Sequence, residues 1–176
     1  ARCLPQTRLC AKSSAEMELN MEKEIRDKLK LLVDSAQCAD LGFIDGMGIP
    51  SIRKVFCTCH KGLRAHLIST NTSSLHIQEL EKNNSACLYF ADRNNFRGLC
   101  LFGKAIIHHD PEYKEFLWHE GDEQYYPEGV ADEDYCVIEF IADRGRYYMC
   151  EVDPYKGDLT LEDIDFTEKE TSYIKY

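Results

Sequence analysis

Nothing in this chain approaches the roughly 20 consecutive apolar residues of a membrane-spanning helix. The first twenty residues, "ARCLPQTRLCAKSSAEMELN", also lack the apolar centre of a secretory signal. Positive charge is scarce: 21 Lys and Arg stand against 31 Asp and Glu, a formal net charge of −10, and no run of Lys or Arg interrupts the acidic surface. Such a surface repels a phosphate backbone, so neither nucleic acid nor membrane is an expected partner. A small anionic ligand needs only a few local donors and stays open. There is no GxGxxG and no Walker loop. Tryptophan occurs once.

Cysteine is plentiful by contrast, with nine residues. The odd number and irregular spacing argue against a secreted disulfide framework. Most lie in apolar runs such as "SACLYF", "GLCLFG" and "YCVIEF", where a free thiol acts as a small hydrophobe. These features predict a reducing, cytoplasmic setting. With 176 residues, 44% of them hydrophobic, the chain is sized for one globular domain. Residues 1–20 do not resemble the rest of the chain, and Met17 and Met21 stand just ahead of the first good helical pattern. They read as an extension, residues 21–152 as the domain, and residues 153–176 as an acidic tail with Phe166, Tyr173 and Tyr176 as docking points.

Hydrophobic periodicity orders the domain. Asn20 suits a helix cap, and Ile25, Leu29, Leu32, Val33 and Ala36 then share one face. "ADLGFID", "PSIRKVFCTC" and "LRAHLIS" alternate like strands, separated by "DGMG" and "HKG" turns. A helix follows with Leu75, Ile77 and Leu80 on its apolar side. "ACLYFAD" and the long "RGLCLFGKAIIHH" are the next strands. Asp110-Pro111 opens a helix carrying Tyr113, Phe116, Leu117 and Trp118. "YCVIEFIA", "DRG" and "RYYMCEV" read as a last hairpin. Short turns between successive strands, interrupted by one helix, predict a mainly β, closed or split antiparallel barrel with helices outside, and exclude strand–helix alternation.

One stretch asks for explanation. Six small polar residues, "STNTSS" at 69–74, join a strand to a helix. Capping by Ser73 or Ser74 is the plain reading. Hydroxyls, backbone N–H groups and a helix start also make a phosphate cradle once a cation reaches them, and Arg53 on a neighbouring strand and His76 in the first helical turn are candidates. Cys57-Thr-Cys59-His60 resembles half a metal site, but no second cluster completes four ligands, so a metal is not expected. Trp118, Tyr125 and Tyr126 read either as packing or as a wall for a planar ligand. The Asp132/Asp134 pair reads as a solvated loop.

Taken in order, "STNTSSLHIQELEKNNSACLYFADRNNFRGLCLFGKA" and "FLWHEGDEQYYPEGVADEDYCVIEFIADRGRYY" resemble the pyridoxamine 5'-phosphate oxidase-like, FMN-binding split-barrel proteins, the second especially their general stress protein 26 branch. The resemblance implies a six-stranded split β-barrel that forms a homodimer with FMN at the interface. It places the phosphate on Arg53, Ser69, Thr70, Ser74 and His76, and runs Lys54, Val55 and Phe56 past the flavin ring. It brings Gly98 and Leu99 near the ring, and Trp118 against it from the partner subunit.

Two departures matter. The family usually carries Lys where His76 stands, so FMN is expected to bind more weakly as pH rises through the bound-state pKa of this histidine. The vitamin B6 oxidases proper end with an Arg and His pair that holds pyridoxal phosphate, and the acidic segment after "RGRYY" has none, which speaks against oxidation of pyridoxamine phosphate. The implied activity is an FMN-dependent oxidoreductase acting on a small molecule, with a nicotinamide as possible electron donor and no nameable catalytic acid. A flavin-binding stress-response protein without turnover is the alternative. A haem or F420 binder on the same barrel is a weaker one.

Overall fold

The structure is a computed structural model that describes residues 14–57, 59–165 and 173–175, with side chains in the first helix described from Glu22 onward. Its elements run α1 (Ser14–Asp34), β1 (Cys38–Ile44), β2 (Pro50–Phe56), β3 (Cys59–Lys61), β4 (Ala65–Asn71), α2 (Leu75–Lys82), β5 (Ser85–Asp92), β6 (Arg97–His108), α3 (Pro111–Leu117), β7 (Tyr135–Met149), β8 (Lys156–Leu159), α4 (Leu161–Asp165) and β9 (Ile174–Lys175). One antiparallel sheet, ordered β2-β1-β5-β6-β7-β4-β3-β9 with β8 also on β7, curls into a split barrel with helices outside. Six strands have seven or more residues, as expected, and β3, β8 and β9 are short additions.

Alternation explains the strands. On β5, Leu88 and Phe90 are fully buried while Cys87 and Tyr89 lie on the other face. On β1, Ala39, Leu41 and Phe43 point into the same core. Helix α1 closes it with Ile25, Leu29, Leu32 and Val33, each buried side chain contributing about 1.5–3 kcal/mol. A second apolar cluster, Cys59, Leu67, Leu117, Tyr126, Tyr135 and Val137, lies under α3 and the loop beyond it.

Four local expectations need correction. Helix α1 begins at Ser14, inside the stretch read as an extension, because "AEMELNMEKE" consists almost wholly of strong helix formers, and Asn20 is an interior residue. The last "hairpin" is one strand of 15 residues. Its "DRG" is not a turn: between Phe102/Arg144 and Gly103/Ala142 the β6–β7 register shifts, so Asp143 is the extra residue of a bulge. Gly103 is what permits it, since a Cβ there would collide with the Ile141 carbonyl. The domain does not stop at residue 152, because β8 pairs with β7 and Leu159 and Ile164 enter the main core. Arg26 of α1 also reaches Asp163 at 2.6 Å. Finally, Leu75 is exposed and only Ile77, Leu80 and His76 bury the inner side of α2. Of the expected tail contacts, Tyr173 is described, while Phe166 and Tyr176 lie outside the described residues. No helix among the described residues is long and apolar enough to cross a membrane.

Candidate functional site

The chain leaves β4 through the polar stretch and enters α2 at Ser74, the N-cap, whose side chain makes no capping hydrogen bond. The turn is held from outside. Asp134, at the mouth of β7, accepts from Ser73 N–H at 2.6 Å, Ser73 Oγ at 3.0 Å and Asn71 Nδ2 at 2.9 Å. The Ser73 amide above all holds the Asp134 carboxyl below its usual range. Asp134 is therefore a structural residue of the turn and not loop solvation. Its 61-residue separation from Ser73 left no local sign of this in the sequence.

Ser73 is thus committed, and Ser69, Thr70, Thr72 and Ser74 carry the remaining hydroxyls, that of Thr72 buried without a hydrogen-bond partner. His76, 3% exposed, is bonded through Nε2 to Thr70 Oγ1 at 3.2 Å, while its buried Nδ1 has no hydrogen-bond partner. Burial first, then the Arg53 guanidinium, pushes its pKa down to about 4. A buried imidazole nitrogen without a partner, next to a permanent cation, is the arrangement an entering anion would satisfy.

Beside this turn opens a cavity of about 560 Å³, a size within the range of small-molecule sites. Strand β2 gives it Arg53, Lys54, Val55 and Phe56; strand β4 gives Ser69, Thr70 and Asn71; the loop after α3 gives His119, Asp122, Tyr125 and Tyr126. Six of the residues that the resemblance assigns to FMN therefore share one cavity, with His76 behind Thr70. Lys54 is also paired with Asp40 at 2.5 Å.

Other expected residues stand apart. Leu99 is fully buried in the core. Gly98 lies beneath Tyr148, where a Cβ would clash with the phenol ring, so this glycine makes room for a tyrosine. Neither lines the cavity within one chain. Trp118 packs on Tyr126 and Tyr135, with ring centroids 6.2 and 5.5 Å away, one layer behind the wall. His119 and Asp122 were not anticipated: Asp122 accepts the His119 backbone N–H at 2.9 Å, and its carboxylate lies 3.9 Å from His119 Nδ1. The polarity of "HEGDE" hid them, because a loop supplies no periodicity to say which side chains turn inward.

Two further features lie outside this site. A larger cavity, about 790 Å³, runs along β1, β2, β5 and β6 past Gly42, Ile44, Cys87 and Phe102, and Ser51, Ser85, Lys104 and Arg144 also line it. Around Cys57 and Cys59, as elsewhere among the described residues, no group of three or more His, Cys, Asp or Glu side chains could hold a metal ion. Cys57 instead faces His66, Sγ to Nδ1 at 3.5 Å, and burial pushes its thiol up to about 12.

With this geometry in place, the family can be assigned. A model of the family described as "Pyridoxamine 5'-phosphate oxidase like" matches residues 66–161, more than half of the chain. Among solved structures, a Clostridium acetobutylicum protein related to general stress protein 26 of Bacillus subtilis, of the pyridoxinephosphate oxidase family, is 37% identical. That alignment covers 81% of this chain and 98% of that one with a TM-score of 0.72. The chain belongs to the pyridoxamine 5'-phosphate oxidase-like family. The fold recurs at lower identity in the general stress protein 26 of Bacillus anthracis (17%, 77% of this chain and 99% of that one, TM-score 0.62). It recurs also in a heme binding protein from Mycobacterium smegmatis (16%, 79% of this chain and 59% of that one, TM-score 0.62). No curated protein matches the chain.

Proposed function

We propose that this protein binds FMN in the β2–β4 cavity and serves as an FMN-dependent oxidoreductase for a small molecule. The observation that carries the reading is that one cavity is lined together by hydroxyls and cations (Ser69, Thr70, Arg53, Lys54) and by aromatic rings (Phe56, Tyr125, Tyr126). The residues fit the cofactor, because the partnerless Nδ1 of His76 beside Arg53 matches a phosphate and Tyr125 and Tyr126 match a flat ring. Arg53, Ser69, Thr70, Ser74 and His76 would hold the phosphate, and the β2 residues 54–56 would run along the ring. Bound FMN would supply electron transfer at its ring.

The protein's own part is binding, orientation and proton handling. Arg53 contributes a fixed charge and the hydroxyls neutral donors. Neutral in the ligand-free protein, His76 would take up a proton beside a bound phosphate dianion. On the loop after α3, Asp122 orients the His119 segment, and the pair can take or give a proton at the cavity. Phe56 and Tyr125, 70% and 64% exposed on the cavity rim, are the surfaces a second copy would cover, and we assign the working form as a homodimer with the flavin between copies.

The test is the visible spectrum of the purified protein and the identity of the chromophore released on denaturation. A yellow protein releasing about one FMN per subunit is expected. A colourless protein that takes up no added FMN, or a haem spectrum, would overturn the reading. Steady-state oxidation of a reduced nicotinamide by the yellow protein then separates a turning-over enzyme from a flavin binder.

A further inference from the structure

We propose that residues 173–175 form a strap whose Lys175 is a positioning residue for the aromatic wall of the cavity. The role in cofactor binding rests on the flavin reading above; the bracing itself does not.

Strand β9 pairs antiparallel with β3, Lys175 opposite Cys59 and Ile174 opposite His60. The pairing brings the Lys175 ammonium to the end of α3. There Nζ donates to the carbonyl of Phe116 at 2.8 Å and to that of Trp118 at 2.7 Å. These carbonyls belong to the helix end, where intrahelical donors have run out and a cation is favoured by the local dipole. Both bonds of the amine thus go to the backbone from which the cavity wall departs. One residue beyond Trp118 comes His119, then Asp122, Tyr125 and Tyr126, all facing the cavity.

A second bond sets the strap's register. Tyr173 OH donates to Glu139 Oε1 at 2.7 Å, and its ring lies 6.0 Å from Phe116. The other oxygen of Glu139 receives His108 Nε2 at 2.9 Å and Tyr113 OH at 3.4 Å. Helix α3 is therefore held near its start by Glu139 through Tyr113 and at its end by Lys175. With the lysine removed, the two carbonyls turn to water and the wall loses its fixed origin. The strand pairing of β9 would survive such a change, which separates positioning from mere cover over β3.

Trp118 is the only tryptophan, so its emission reports this one junction. The first variant is Lys175→Met, which keeps the stem and deletes the donors; the second is Lys175→Arg, whose fork can reach both carbonyls. In the absence of FMN, Lys175→Met is expected to shift Trp118 emission to the red and raise its quenching by acrylamide, and Lys175→Arg to restore both. In an FMN titration the Met variant should bind about threefold to tenfold more weakly, the worth of one or two net hydrogen bonds. Trp118 emission and FMN affinity both unchanged in Lys175→Met would overturn the proposal, as would failure of the Arg variant to restore them. If the wild type takes up no FMN while Trp118 still responds to Lys175, the flavin reading falls and the strap stands. Tyr173→Phe, which removes a single hydroxyl, supplies the same readouts should the Met variant fold poorly, and an unchanged Trp118 signal in it would count against the strap.

Discussion

Two buried histidines that lie close in sequence, His66 on β4 and His76 on α2, occupy opposite conditions. Both are nearly inaccessible, at 0% and 3% exposure, and both have depressed pKa values, about 3 and about 4. His66 is satisfied: Nε2 donates to the Leu63 carbonyl at 3.3 Å, Nδ1 receives the Cys57 thiol, and its ring packs on Phe90 and Phe140. His76 spends one nitrogen on Thr70 and leaves the other without a partner beside Arg53. Equal burial and equally depressed titration therefore say little about role. The difference lies in whether the second nitrogen has a partner: it marks His66 as a satisfied core residue, and it is what supports the proposal of His76 as a ligand-binding residue.

The largest effect expected from breaking this contrast is on stability. His66→Ala removes a packed ring and strands two partners, at a cost of about 3 kcal/mol in urea unfolding, while the folded fraction keeps its FMN affinity. His76→Ala should do the reverse. Losing a hydrogen bond to a charged group costs about 1.5–3 kcal/mol, so FMN affinity falls about tenfold to hundredfold while the urea midpoint moves less. If both variants lose stability and affinity in the same proportion, the two sites are one and the contrast fails.

Acid sharpens the comparison with smaller changes. Folding keeps His66 neutral down to about pH 3, whereas the unfolded chain protonates it near the ordinary histidine value of 6.5. The unfolded state then binds more protons, so the stability present above about pH 6.5 is lost as pH falls toward 3. FMN binding should run the other way. On the proposed cradle, a bound phosphate would raise the His76 pKa and binding would take up a proton, so affinity is expected to be greatest at low pH and to decline as pH rises through the bound-state value, by at most about tenfold per pH unit. A flat affinity profile between about pH 5 and about pH 9 would remove His76 from the cradle. The smallest effect is expected for Ser69→Ala, about 1 kcal/mol of FMN affinity by titration, with no change in the unfolding midpoint.

Much of this was legible in the sequence because it is local. Alternation marked the strands and the "STNTSS" stretch marked the turn, but the expected meander is wrong: β2 pairs with β1 and β4 with β3 and β7, so the curl of the sheet, and not strand pairing, brings Arg53 to the cavity beside the turn. Legibility failed where distant residues decide. Asp134 takes the Ser73 donors from far along the chain, and "DRG" became a bulge because β6 supplies a continuous partner. Gly98 and Leu99 face a tyrosine and the core, which motif order alone did not reveal. The acidic composition of the last segment masked Leu159 and Ile164, two apolar residues that finish the core.

The unbroken β7 strand has a consequence for how the protein breathes. Along residues 137–141 it is bonded to β6 on one edge and β4 on the other, and farther on β8 replaces β4. Its inner amides should be the slowest in the molecule to exchange with deuterium, opening only when the whole domain unfolds. The loop at 119–134, which leaves the end of α3 and rejoins the sheet at Tyr135, makes no sheet ladder of its own, and its amides are expected to exchange faster than those of β7. A ligand could then come and go many times for each occasion on which the barrel comes apart.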